Sequence, residues 1–289
     1  MSSLSNPAII QSILSRHGFH FSKSLGQNFL VNPEVCPRMA QECGAGEKTG
    51  VLEVGPGIGV LTAELAKRAP KVAAVELDQR LLPVFAETLA EFGNVSVIYG
   101  DIMKLDLADL ITREFPGLDV VVCANLPYYI TSPVIMSLLE QRLPVRSVTV
   151  MVQKEAAERL CAQPGTRACG AVSAAVQFYA EPEILFPVGR ESFVPQPNVD
   201  SAVIRLNIRT APPVQVREEK QFFRLVKAAF GQRRKTALNA ISAGLSIPKP
   251  ETALAMERVG IPQNARAEQF SMEQFAALSN EIFRQEVSR

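Results

Sequence analysis

At 289 residues the chain can bury about three-quarters of its unfolded surface, enough for one large α/β domain with a small appendage. With 47% hydrophobic and 20% charged residues it is neither a disordered nor a fibrous polymer, and no apolar run approaches the roughly 18 residues of a membrane span. A net charge of +1, five cysteines without a C-x-x-C pair and two histidines argue against a disulfide framework and a zinc site, so no metal is expected.

The first 33 residues carry Arg16 and Lys23 but no acid, and they lack a basic region followed by an apolar core and cleavage site. The chain is therefore expected in the cytoplasm, with no membrane partner. The first clear strand spans residues 51–54. It runs through Gly55-Pro56-Gly57-Ile58-Gly59 into a segment of helical spacing from Val60 to Lys67. Strand, glycine loop and helix together make a nucleotide-binding start, because bare backbone N–H groups reach a ligand at a helix N-terminus. The G-x-G-x-G spacing differs from the pyrophosphate fingerprint G-x-G-x-x-G, and a tight βα turn is the alternative reading.

Residues 71–77 read as the next strand, with Glu76 lying 21 residues past Gly55, where a carboxylate can accept from both ribose hydroxyls. A third strand over 94–100 leads to Asp101. That acid can accept from an adenine amine or cap the segment that follows. The run Val120-Val121-Val122-Cys123-Ala124 ends in Asn125-Leu126-Pro127-Tyr128. Here the Asn125 side-chain oxygen and the Leu126 carbonyl can accept from an exocyclic NH2, Pro127 fixes the turn and Tyr128 offers a stacking face, which suits an unpaired adenine. Alone, the tetrapeptide also reads as a polar turn closing a strand. In a parallel sheet, however, the ends at Gly55, Glu76, Asp101 and Asn125 all open on one crevice.

Thr131-Ser132-Pro133 reads as a helix start with a capping hydroxyl. Further strands are expected over 147–153, 174–180 and 201–208. Pro212 and Pro213 then break the pattern, and helical spacing follows over 221–243, 251–259 and 272–283. This places a catalytic domain with its N-terminal arm at 1–209 and a helical domain at 210–289. Residues 203–235 hold nine basic side chains against Glu218 and Glu219. Such a run reads as a solvated face or as a phosphate-binding surface. Arg233, Arg234 and Lys235, on an expected helix over 222–241, are the candidate phosphate contacts.

On these residues the chain resembles S-adenosylmethionine-dependent methyltransferases, and within them the ribosomal RNA adenine dimethyltransferases of the small-subunit (KsgA/RsmA) type. The resemblance implies an α/β fold, a Rossmann-like class I methyltransferase sheet with a small all-helical C-terminal domain. Lys23-Ser24-Leu25-Gly26-Gln27-Asn28-Phe29-Leu30 looks like that family's cofactor segment, which implies that Gln27, Asn28 and Leu30 help hold the methionine part of S-adenosylmethionine. It likewise implies that Gly55, Gly57, Glu76, Asp101 and Asn125 bind the cofactor, and that Asn125, Leu126, Pro127 and Tyr128 grip the target base. Phe193-Val194-Pro195-Gln196-Pro197-Asn198-Val199-Asp200-Ser201 is similar to the family's F-x-P-x-P-x-V-x-S loop, placing Phe193 over the other face of that base. The implied activity is dimethylation of two adjacent adenines in a hairpin loop near the 3' end of 16S rRNA, in the small subunit or its precursor, by a monomer. The alternatives are a large-subunit (23S) rRNA methyltransferase, a DNA adenine methyltransferase and a non-catalytic assembly factor.

Overall fold

The structure, a computed structural model, describes residues 3–18 and 29–284. Its strands are β1 Phe29–Leu30, β2 Thr49–Val54, β3 Val72–Glu76, β4 Val95–Tyr99, β5 Asp119–Asn125, β6 Ser147–Gln153, β7 Ala180–Val188, β8 Phe193–Val194 and β9 Ser201–Ile208. Seven of them form one sheet in the order β4-β3-β2-β5-β6-β9-β7, while β1 and β8 pair with each other. The strands from β4 across to β6 are mutually parallel, and β9 is antiparallel to β6. The chain moves outward through β3 and β4 on one side of β2 and then returns to place β5 on the other. This reversal opens a crevice beyond the strand C-termini.

β2 and β3 are buried at every position, and β5 at all but its two end residues. A strand covered on both faces has no reason to alternate, which explains the runs of valine, alanine and leucine, broken at Glu53 in β2. Register fixes where the runs end. Val54 lies beside both Val75 and Ala124, and Glu76 beside Tyr99, so Gly55, Glu76 and Asn125 emerge together at one edge.

The described residues fall into two compact units: those within Met1–Ala157 and Glu181–Ile208, and those within Glu158–Ala180 and Arg209–Arg289. The first holds the Rossmann-like sheet and the second is all-helical. A single cut near residue 209 therefore leaves out 158–180, which packs with the helices. The strand expected over 174–180 is in fact the helix Ala171–Tyr179, whose Ser173 hydroxyl accepts from the Gly170 N–H at 3.0 Å. Its Phe178 stacks on Phe222 at 5.0 Å between ring centroids, within a core that includes Met256, Phe270 and Phe275. A helix buried nearly all round carries an apolar run as continuous as a buried strand's.

The helix expected over 221–243 is two helices, Glu219–Phe230 and Ala237–Leu245. Gly231 closes the first, and the Thr236 hydroxyl caps the second by accepting from Asn239 N–H at 3.4 Å. Arg233, Arg234 and Lys235 consequently lie in the exposed turn between the helices rather than on a helix. Among the described residues no helix is long and apolar enough to cross a membrane.

Candidate active site

β2 delivers the glycine loop, where Gly55, Gly57 and Gly59 have φ of +68°, +62° and +89°. A side chain in this left-handed region costs about 1–2 kcal/mol. A Cβ on Gly55 would meet nothing within 4 Å, whereas one on Gly59 would lie 2.9 Å from Leu89 Cδ2. The first glycine thus keeps the backbone open to a ligand, and the last lets the helix Val60–Ala66 pack closely.

At the end of β3, Glu76 is buried, and its Oε1 accepts from the Asp78 N–H at 2.8 Å. Burial pushes its carboxyl above the usual range, opposed by the backbone N–H groups of Asp78, Gly57 and Leu77. Asp78 is itself held by Arg80, whose Nε and Nη2 donate to its two carboxylate oxygens at 2.8 and 2.6 Å. Asp101 accepts from the Met103 N–H at 3.0 Å and lies 3.5 Å from Lys104 Nζ. It caps the turn after β4 and faces the crevice as well, so its two readings are compatible.

Asn125 is the last residue of β5, and its side chain has no hydrogen-bond partner among the described residues. The Leu126 side chain is buried, which anchors the backbone that carries its carbonyl. Pro127 leads into a 3-10 turn, Tyr128–Ile130, where the Tyr128 hydroxyl shares a 2.7 Å hydrogen bond with Ser201 Oγ. Thr131 does not cap the helix Thr131–Glu140; it lies within that helix, and its hydroxyl donates back to the Pro127 carbonyl at 3.3 Å. Phe193, only 3% exposed, pairs in register with Leu30 across the β1–β8 ribbon. The 193–201 segment therefore contributes at both ends: Phe193 lines the cavity and Ser201 steadies Tyr128. Sequence reasoning missed the second role, because nothing local to Ser201 points to Tyr128.

Leu30, the glycine loop, Glu76, Asp101, the 125–128 turn and Phe193 line one cavity of about 400 Å³. Gln27 and Asn28 lie outside the described residues. Arg233, Arg234 and Lys235 belong to the helical unit. Glu53, not singled out from the sequence, also lines this cavity, and its Oε2 is buried with no hydrogen-bond partner among the described residues. Its one signal was an acid within the otherwise apolar Val51-Leu52-Glu53-Val54. Burial, and then the nearby Glu76 carboxylate, push its pKa up to about 8.

Four carboxyl groups, those of Glu53, Glu76, Asp78 and Asp101, and an amide unengaged among the described residues suit a ligand rich in hydroxyl and amine donors that carries positive charge; they do not suit a polyphosphate. S-adenosylmethionine, with two ribose hydroxyls, two amines and a sulfonium, fits that donor set.

A family model described as ribosomal RNA adenine dimethylase matches residues 18–284. The ribosomal RNA small subunit methyltransferase A of Bacillus cereus (strain AH187) is 49% identical over 286 residues, covering 98% of each chain, and that of Bacillus anthracis (strain CDC 684 / NRRL 3495) matches equally. Among solved structures, a dimethyladenosine transferase from Plasmodium falciparum superposes with a TM-score of 0.74 at 26% identity, covering 90% of this chain and 98% of that one. The 23S rRNA methyltransferase ErmE gives 0.67 at 26% identity, covering 88% and 99%. The sheet is thus that of the class I methyltransferases, and the chain belongs to the ribosomal RNA adenine dimethylase family.

Proposed function

We propose that this protein uses S-adenosylmethionine to dimethylate the N6 amines of two adjacent adenines in a hairpin loop near the 3' end of 16S rRNA. It acts as a cytoplasmic monomer on the small ribosomal subunit or its precursor, in subunit biogenesis. The observation that carries this reading is the Asn125 amide. It is uncharged and without a hydrogen-bond partner among the described residues, and it opens on the same cavity as Glu76 and Asp101, beside two aromatic rings. The 49% identity to relatives named for the small subunit favours that branch over the large-subunit one.

Bound S-adenosylmethionine supplies an electrophilic methyl group on its sulfonium. Glu76 takes the ribose hydroxyls, Asp101 the adenine amine, and the Gly55 and Gly57 backbone the methionine end, helped by Leu30 and, as the family resemblance implies, by Gln27 and Asn28. The target amine is a poor nucleophile, because its lone pair is delocalised into the purine ring. Asn125 Oδ1 and the Leu126 carbonyl accept hydrogen bonds from its two N–H groups and so favour a pyramidal nitrogen with an available lone pair. Tyr128 and Phe193 hold the ring plane, and Pro127 fixes the turn. No strong base is needed, since the amine proton becomes acidic only as the new bond forms and then leaves to water. Arg233, Arg234 and Lys235, clustered on an exposed turn, contact RNA phosphates and add affinity without sequence information.

The test is to incubate the protein with labelled donor and small-subunit particles from unmethylated cells, then map the label. Label on N6 of two adjacent adenines of the small-subunit RNA is expected. Label in large-subunit RNA would move the assignment to that branch, and absence of both label and calorimetric donor binding would leave only a scaffold. Separately, Glu76→Ala is expected to weaken donor binding about tenfold to a hundredfold by calorimetry, the range for losing hydrogen bonds to a charged acceptor. An unchanged dissociation constant would remove Glu76 from the cofactor site.

A further inference from the structure

Among the described residues, three large apolar side chains stand exposed around the cavity: Leu77 at 50%, Met103 at 45% and Tyr129 at 58%. Leu77 follows Glu76 and Met103 lies two residues past Asp101, so both stand at the cofactor end. Tyr129 follows Tyr128 and stands at the target-base end. A 3-10 turn has about three residues per turn, so adjacent side chains leave its axis roughly 120° apart. The Tyr128 hydroxyl is tied to Ser201 Oγ at 2.7 Å, and Tyr129 therefore points away from the face that Tyr128 presents. Among the described residues nothing engages the Tyr129 ring or hydroxyl.

The backbone under this bare ring is fixed. The Ile130 N–H donates to the Pro127 carbonyl at 3.1 Å, and the helix Thr131–Glu140 follows directly. A side chain with two rotatable bonds on a rigid turn loses little entropy on binding, and a π face accepts any base. Extruding one base into the cavity breaks its stacking with both neighbours and brings an unstacked nucleotide to the rim. We propose that Tyr129 is the stacking platform for the nucleotide next to the target adenine, a positioning residue that sets the strand at the cavity mouth. The proposal rests on the adenine dimethylase reading above.

The test compares wild type, Tyr129→Ala and Tyr129→Phe on small-subunit particles with labelled donor. Tyr129→Ala is expected to raise KM for the particle about tenfold, with kcat and donor affinity within about twofold of wild type, because base stacking contributes to binding before and during transfer alike. Tyr129→Phe keeps the ring and should retain the wild-type KM. On particles carrying an abasic residue beside the target adenine, placed on each side in turn, the gap between wild type and Tyr129→Ala should close for one side. An unchanged KM in Tyr129→Ala, no rescue by phenylalanine, or a gap that persists with both abasic particles would each overturn the platform while wild-type transfer stands. Failure of wild type to methylate adenine at all would overturn the underlying reading and the platform with it.

Discussion

Asn125→Ala is expected to lower single-turnover methyl transfer by at least about a hundredfold, the scale observed when one preorganised polar contact to developing charge is removed. Donor affinity and thermal stability should stay close to wild type. The stability half follows from the structure: the Asn125 side chain has no hydrogen-bond partner among the described residues, so truncating it orphans no polar group among them. The rate half follows from where charge appears. The target nitrogen is neutral in the bound base and becomes cationic as the methyl arrives, so an oxygen aimed at it stabilises the transition state more than the ground state. An amide also suits two successive transfers, because it presents an acceptor without a fixed charge and leaves a monomethylated amine free to turn. Label transfer on particles reads the rate, calorimetry the donor affinity, and thermal denaturation the stability. Turnover retained at the wild-type rate would remove Asn125 from the reaction, and a large loss of stability would mean that the residue is structural.

How much of this was legible in the sequence depended on how local each signal is. The central parallel strands are continuous apolar runs ending in a glycine, an acid or an amide, and the sheet register brings those endings together as the spacing implied. Ser147–Gln153 and Ser201–Ile208 occupy their expected bounds. The misreadings came where tertiary context overrides local pattern. The 174–180 segment is apolar all round because aromatic rings of its own unit enclose it, so its helix mimics a buried strand. β7 holds Pro182 and Pro187, which argue against a strand except at the end of the sheet order, where it lies. The break at 231–236 was overlooked because the apolar spacing continues in phase on both sides of it. Ser201 and Glu53 matter through partners more than 20 residues away, Tyr128 and Glu76, which no local pattern reveals.

Glu53 leads to the second large effect. In the unfolded chain its carboxyl titrates near the ordinary value of 4.5, whereas in the folded protein burial holds the proton until about 8. Between these limits the folded state binds more protons than the unfolded one, so stability must fall as pH rises. One such group contributes up to about 1.4 kcal/mol per pH unit inside the window and nothing further above it, where both states are ionised. Glu76, also raised by burial, adds a slope of the same sign. Glu53→Gln keeps the shape of the protonated acid without its titration. Denaturant unfolding of the ligand-free protein should therefore match wild type near pH 5, and the variant should become progressively more stable than wild type toward pH 8. Parallel pH curves would show that Glu53 ionises normally inside the fold. Saturating S-adenosylmethionine acts in the same direction as the substitution: positive charge brought into the cavity favours the ionised carboxyl and lowers its folded pKa, so the wild-type slope should flatten when the donor is bound.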